Sequence, residues 1–250
     1  MTRWARLTWQ AADPAARAAD LGRRLGATFA APPALTDTSP AAVAWVLPLG
    51  TADLEVVPWR RESATDAPLA AGRLVFEPIE DGGPDPEPTA APPLILAGVA
   101  WCTVELERAE AELEPWLVPE PAANPAGDQG GGHGSDLVDP HLGSRTRVRG
   151  APGLPGGVLV LSEPVTEGRL AASLARDDEG PCALYLRPAI GLDAWIAAAR
   201  ARRVALSAVR SGPFGRSVLL SGSPAAGPHV LLVDAPRPSS AGVPPGTIAP

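Results

Sequence analysis

Apolar and polar positions alternate over WARLTWQA near the start of the chain, a period of two that predicts a strand with one buried face. DPAARAADLGRRLG follows with helical character: Asp13 is placed to cap it, Pro14 sits in the first turn and Gly26 ends it. AVAWVLPLG and ADLEVVPW are rich in β-branched and aromatic residues about a Gly-containing turn, as in a hairpin, and RLVFEPI adds a strand. The order over residues 3–80 is βαβββ.

From Glu80 the chain turns acidic and Pro-rich (EDGGPDPEPTAAPP). Such a composition cannot bury enough apolar surface to order itself, so residues 81–93 read as a linker between an N-terminal module, 1–80, and a second region, 94–236. LAGVAWCTV repeats the opening strand, and ELERAEAELEPWL repeats the helix, with Leu106, Ala109, Leu113 and Leu117 at helical spacing. PEPAANPAGDQGGGHGSDLVDPHLG is too rich in Gly and Pro for regular structure and predicts a mobile loop over 119–143. RTRVRGAP and GVLVLSEP read as strands and EGRLAASLARDD as a short helix. PCALYLRPAIGLDAWIAAARARR is a third strand-to-helix unit, with Asp193 leading the helix and Arg200, Arg202 and Arg203 at its end. VALSAVRSG, RSVLLSG and HVLLVD complete the pattern, and residues 237–250 read as a disordered tail.

Three strand-to-helix starts thus stand at Trp4, Gly98 and Pro181. The segments GVLVLSEPVTEGRLAASLARDDEGPCALYLRP and GPFGRSVLLSGSPAAGPHVLLVD resemble the vicinal oxygen chelate superfamily, in its glyoxalase, bleomycin-resistance and methylmalonyl-CoA epimerase branch. DPAARAADLGRRLG and LPLGTADLEVVPW resemble the opening of glyoxalase-like domains. The resemblance implies an α+β fold of repeated βαβββ modules forming an open, curved mixed β-sheet barrel with flanking helices. Two modules make one barrel, so three leave an odd one. The joining segment SEP…EGRLAASLARDDEGP resembles the epimerase connector and pairs the second module with the third; pairing of the first with the second is the competing arrangement.

The same resemblance implies where metal ligands would stand. In the family a His or Gln lies seven residues before the acidic residue that opens each helix, which gives Arg6 before Asp13 and Gly98 before Glu105. The paired His of the third module corresponds to Cys182 and Ala183, and the late Glu positions to Glu55, Val160 and Leu231. Only Glu55 keeps a ligand type, and one carboxylate beside an arginine cannot make a catalytic divalent site. The expectation is therefore no metal and no cofactor.

Strand alternation puts Arg6, Thr8, Gln10 and Glu55 on one inner face, where Arg6 and Glu55 either anchor a ligand group or form a plain salt bridge. Cys102 and Cys182 face inward on the two central modules, as a thiol pair able to hold a soft metal or act as nucleophile, or as small apolar filling. His133, Asp136, Asp139 and His141 match neither a helix-borne HExxH nor an EF-hand loop and read as a solvated loop. His229, on the last strand, is the candidate for acid/base work. Trp4, Trp9, Trp45, Trp59, Trp101 and Trp195 fit core or interface roles, and Trp45 and Trp59, flanking the hairpin of Glu55, are the pocket candidates.

Composition narrows the functions. A net charge of −7 argues against nucleic acid, and the absence of Lys excludes a Walker A lysine, a Schiff-base lysine and a lysine base. No apolar run approaches membrane-spanning length and no export signal is visible, so a cytoplasmic protein is expected. There is no GxSxG and no GxGxxG after a strand. The expectation is a metal-independent protein that binds a small organic molecule, for sequestration, resistance or sensing, with a homodimer left open. The alternative is a metal-independent isomerase or lyase acting on a small carbonyl or acyl substrate.

Overall fold

The computed structural model describes residues 4–31, 44–49, 52–58, 73–78, 92–118, 136–221 and 228–234. The linker 81–93 and the tail 237–250 lie outside the described residues, apart from residues 92 and 93.

The chain opens with β1 (Trp4–Ala11) and α1 (Pro14–Leu25). Asp13 accepts the Ala16 N–H at 2.9 Å, and Gly26 closes the helix at φ 71, ψ 35, a left-handed conformation that costs a residue without Cβ little. β2 (Trp45–Pro48), β3 (Asp53–Pro58) and β4 (Arg73–Pro78) complete a four-stranded sheet in the order β2-β3-β1-β4.

A second, eight-stranded sheet holds β5 (Leu94–Cys102), β6 (Leu137–Asp139), β7 (Ser144–Gly150), β8 (Val158–Pro164), β9 (Gly180–Pro188), β10 (Arg210–Gly212), β11 (Gly215–Leu219) and β12 (His229–Val233). Its helices are α2 (Leu106–Leu113), α3 (Arg169–Asp177) and α4 (Leu192–Ala201). β5 runs parallel to β8, and β8, β7 and β6 follow as antiparallel neighbours. β9, β12, β11 and β10 repeat that wiring, and the halves join through the antiparallel β5–β9 pair. The sheet curls until its outer strands β6 and β10 touch. This is the α+β fold of paired βαβββ modules with flanking helices.

The first sheet departs from the simple βαβββ module. β1 lies parallel to β3 and β3 antiparallel to β2, and a single bridge from Ala30 to Val46 stands where the second strand of a module would run. β4 pairs antiparallel with β1 on the far side, as β9 does with β5. It is thus the opening strand of a partner module, and among the described residues that partner consists of this strand alone. Alternation along RLVFEPI predicts a strand but not which neighbour it takes.

The two sheets share one core. Leu7, Trp9, Leu54 and Val56 of the first sheet, Leu21 and Leu25 of α1, Trp195 of α4 and Leu96, Leu184 and Leu232 of the second sheet form a continuous apolar cluster. Trp195 Nε1 donates to the Leu25 carbonyl at 3.0 Å, tying α4 to α1. On the second sheet's outer face, α2 covers Leu159 and Leu161, and its Glu107 and Glu110 pair with Arg147 and Arg149 of β7. No helix among the described residues is long and apolar enough to cross a membrane.

Residues 137–143 overturn part of the expected loop: β6 is a strand, and Asp139 and His141 are buried. Asp139 accepts the N–H groups of His141 and Leu142 at 2.8 and 3.2 Å and the Tyr185 hydroxyl at 2.7 Å. Satisfying a fully buried carboxylate this way fixes the turn after β6. His141 Nε2 in turn donates to the Ser217 carbonyl at 3.1 Å, latching the seam between the sheet's two ends.

Candidate functional site

The hollow of the curved sheet is where the family resemblance would put a metal. Gly98 is in register with Tyr185 and Tyr185 with Leu231, while Ala100 is in register with both Val160 and Ala183. The expected ligand positions do converge, but on hydrocarbon. A Cβ on Gly98 would lie 2.8 Å from Cζ of Phe214, whose ring rests on Tyr185 with centroids 4.9 Å apart and planes tilted by 55°. α3 closes the remaining space with Leu170 and Leu174, which join Ala100, Val160, Ala183 and Leu231 in one apolar cluster. A divalent ion requires N, O or S donors in a converging shell, so these residues do not fit one. Among the described residues no group of three or more His, Cys, Asp and Glu is arranged to hold a metal.

The His and Cys side chains of this interior each have a neighbouring polar partner. His229 faces inward, 1% exposed, with Nε2 3.4 Å from Ser173 Oγ of α3. Burial, then the charge of Arg169, holds its pKa down to about 4 against a hydrogen bond with the Arg169 backbone. The ring is therefore neutral near pH 7 and sealed beneath α3, which suits a structural partner better than a proton shuttle. Cys102 Sγ lies 3.7 Å from the Leu170 carbonyl, and Cys182 Sγ lies 3.5 Å from that of Ala100. Contact with Cys102, together with burial, pushes the Cys182 thiol well up, so neither nucleophilic thiolate nor open access is present.

In the first sheet Arg6 is in register with Asp53 and Glu77, and Glu55 with Thr8 and Val46, so Arg6 and Glu55 hold diagonal positions on one face of adjacent strands. Thr8 and Gln10 share that face and are 0% and 5% exposed; Thr8 Oγ1 has no hydrogen-bond partner among the described residues. Trp45 packs half-buried against the shared core, and Trp59 lies outside the described residues. Of the loop cluster, His133 is also outside them, and Asp136 pairs with Arg145 and Arg147 on the surface.

An open cleft of about 250 Å³ lies elsewhere, where β4 meets the second sheet. Phe76 and Trp101 line one wall with rings stacked at 6.3 Å and 9°. Trp116 lines it from a short 3-10 turn, Glu114–Trp116, beyond α2, and Leu74, Leu113 and Leu154 complete the apolar lining. Arg73, Glu179, Gly180 and Pro181 make the polar end. Glu179 is held by Thr103 Oγ1 at 2.9 Å, by the Val104 N–H at 2.6 Å and by Arg108. Burial pushes its pKa up, but the Val104 N–H, Arg108 and Thr103 outweigh that and keep it below the usual glutamate value. It is an anchored carboxylate, not a poised acid.

Among solved structures the chain is similar to methylmalonyl-CoA epimerase from Mycobacterium tuberculosis, with 21% identity over 60% of this chain and 95% of that one, at a TM-score of 0.45. It is similar to a Streptomyces coelicolor methylmalonyl-CoA epimerase variant in complex with 2-nitronate-propionyl-CoA, at 17% identity, 55% and 94% coverage and a TM-score of 0.41. A 4-hydroxymandelate synthase variant, also from Streptomyces coelicolor, matches over 91% of this chain and 68% of its own, at 14% identity and a TM-score of 0.37. No family model and no curated protein matches the chain. At identities this low the likenesses say nothing of chemistry.

The cleft's residues were only partly visible in the sequence. Trp101 reads as a strand residue destined for the core, and Trp116 carries no periodic signal because Pro115 breaks the helix before it. Phe76 meets Trp101 only once β4 is known to lie beside the second sheet. The Glu-Pro-Trp sequence just after a helix was the available hint.

Proposed function

We propose that the protein binds a small, flat, largely apolar organic molecule in the cleft lined by Phe76, Trp101 and Trp116. The observation that carries this reading is the parallel Phe76–Trp101 stack facing an open, mainly hydrocarbon lining. Flat aromatic walls with a few polar groups at one end are typical of small-molecule sites, and offset stacking adds to area burial. Arg73 and the carboxylate of Glu179 set the polarity of that end and favour a ligand with one polar edge. Binding, in sequestration or sensing, is favoured over catalysis because the cleft's carboxylate is fixed by three partners and His229 is buried under α3. We assign the protein to a reducing, cytoplasm-like compartment, in keeping with its two free cysteines.

The test is a screen of bicyclic and tricyclic aromatic compounds against intrinsic tryptophan fluorescence. Hits should quench or shift emission, and Trp116→Ala should weaken them by about 10-fold or more, the equivalent of roughly 1.4 kcal/mol. Trp45→Phe, remote from the cleft, should leave them unchanged. Ligands that bind Trp116→Ala as tightly as the parent would remove the cleft from consideration.

A further inference from the structure

The chain contains two cysteines, and the fold brings them together although they lie 80 positions apart. Cys102 ends β5 and is in register with Gly180 of β9; the ladder shifts between Ala100 and Trp101, so Cys182 is the residue left without a partner at the irregularity. Cys182 follows Gly180 by two positions and faces the same interior as Cys102, close enough for Cys102 to push the Cys182 thiol pKa up. Both are buried against Ala100, Leu170, Ala183 and Leu231.

We propose that Cys102 and Cys182 form a two-coordinate site for a soft, closed-shell monovalent metal ion, Cu(I) being the representative case. Softness follows from the donors, since thiolate sulfurs select Cu(I) over the harder divalent ions, and among the described residues no group of three or more His, Cys, Asp and Glu is arranged to hold a metal. Each thiol gives its proton to solvent as a metal–sulfur bond forms, with no change of oxidation state, so two protons leave per ion bound.

Cys182 borders a narrow crevice at the end of α3 that is also lined by Arg73, Ser173, Asp177, Asp178 and Glu179, and opening of that end would admit an ion. Asp178 ends α3 at φ 64, ψ −165, a conformation that L residues seldom hold, which marks this end of the helix as the place to give way. The crevice borders the aromatic cleft through Leu74, Glu179 and Pro181, but neither cysteine lines that cleft, and the site stands whether or not the cleft takes a ligand.

The test uses the full chain, reduced and kept anaerobic, titrated with Cu(I) carried by a coloured chelator. One Cu(I) per chain should leave the chelator, with ultraviolet sulfur-to-copper charge transfer and two protons released. Cys102→Ser and Cys182→Ser should each abolish the uptake while circular dichroism shows the fold retained. X-ray absorption on the unsubstituted protein needs no variant: it should show copper bound by two sulfurs and no third protein ligand. No uptake by the parent chain, undiminished uptake by either serine variant, or a copper shell containing nitrogen or oxygen would each overturn the proposal. So would ready conversion of the pair to a disulfide by oxidised glutathione, seen as a loss of two hydrogens in the intact mass, because the sulfurs would then be at bonding range without a metal.

Discussion

His229 shows how one side chain couples burial to solution behaviour. Its folded pKa is about 4, whereas in the unfolded chain the ring titrates near its ordinary value of about 6.5. Between those values the unfolded state takes up the proton first, so its contribution to stability is intact above about pH 6.5 and is lost as pH falls towards 4. The loss amounts to roughly 3 kcal/mol across that window. Urea unfolding at pH 7, 6 and 5 should show the decline, and His229→Asn should flatten it; an equal slope in that variant would place the effect in other groups. Gly98 makes a second case, because Gly98→Ala would press a Cβ against Phe214 and within 3.3 Å of the Val158 carbonyl. The expected cost is about 1–3 kcal/mol in thermal or chemical unfolding. At this scale the sequence was legible where chemistry is local. Asp13 and Gly26 cap α1 because each needs only its own neighbours. Asp139 looked like a loop residue because its partner Tyr185 is 46 positions away, and no local pattern announces a buried carboxylate.

The elements carry a second kind of information, which is what each one covers. α3 reads in sequence as a short amphipathic connector, and it is a helix as expected. Its role as the plug of the curved sheet depends on the sheet's curvature, which hydrophobic periodicity does not encode. Leu170→Ala should cost about 2–5 kcal/mol, as for other large-to-small changes in a core. It should also speed reaction of Cys102 with a small thiol reagent, since the Leu170 carbonyl caps that sulfur. Unchanged thiol reactivity would mean that α3 does not gate the interior. The strands of the second sheet were nearly all legible from alternation and β-branched content, and β6 was not. It is three residues long, follows a Gly-rich stretch, and is held by the ladder to β7 and by Asp139 more than by its own propensity.

For the molecule as a whole, the apolar cluster common to both sheets decides behaviour more than the Pro-rich segment between them. Composition marks residues 81–93 as a boundary, yet Leu54 and Leu232 belong to a single core. Calorimetry should therefore give one transition, with calorimetric and van't Hoff enthalpies in agreement. Two resolved transitions would show that the sheets unfold separately. The candidate cleft was hidden for the same reason, since Phe76 and Trp101 belong to different sheets and meet only when the shared core has formed. The hydrogen bond from Trp195 to Leu25 spans 170 residues, and that distance has a temporal meaning during synthesis. At translation rates of about 5–20 residues per second, α1 emerges roughly 10–30 seconds before α4 does. Through that interval the nascent first sheet waits on the ribosome with its apolar face lacking the partner that will cover it, exposed to whatever holds growing chains until the last third of the polypeptide arrives.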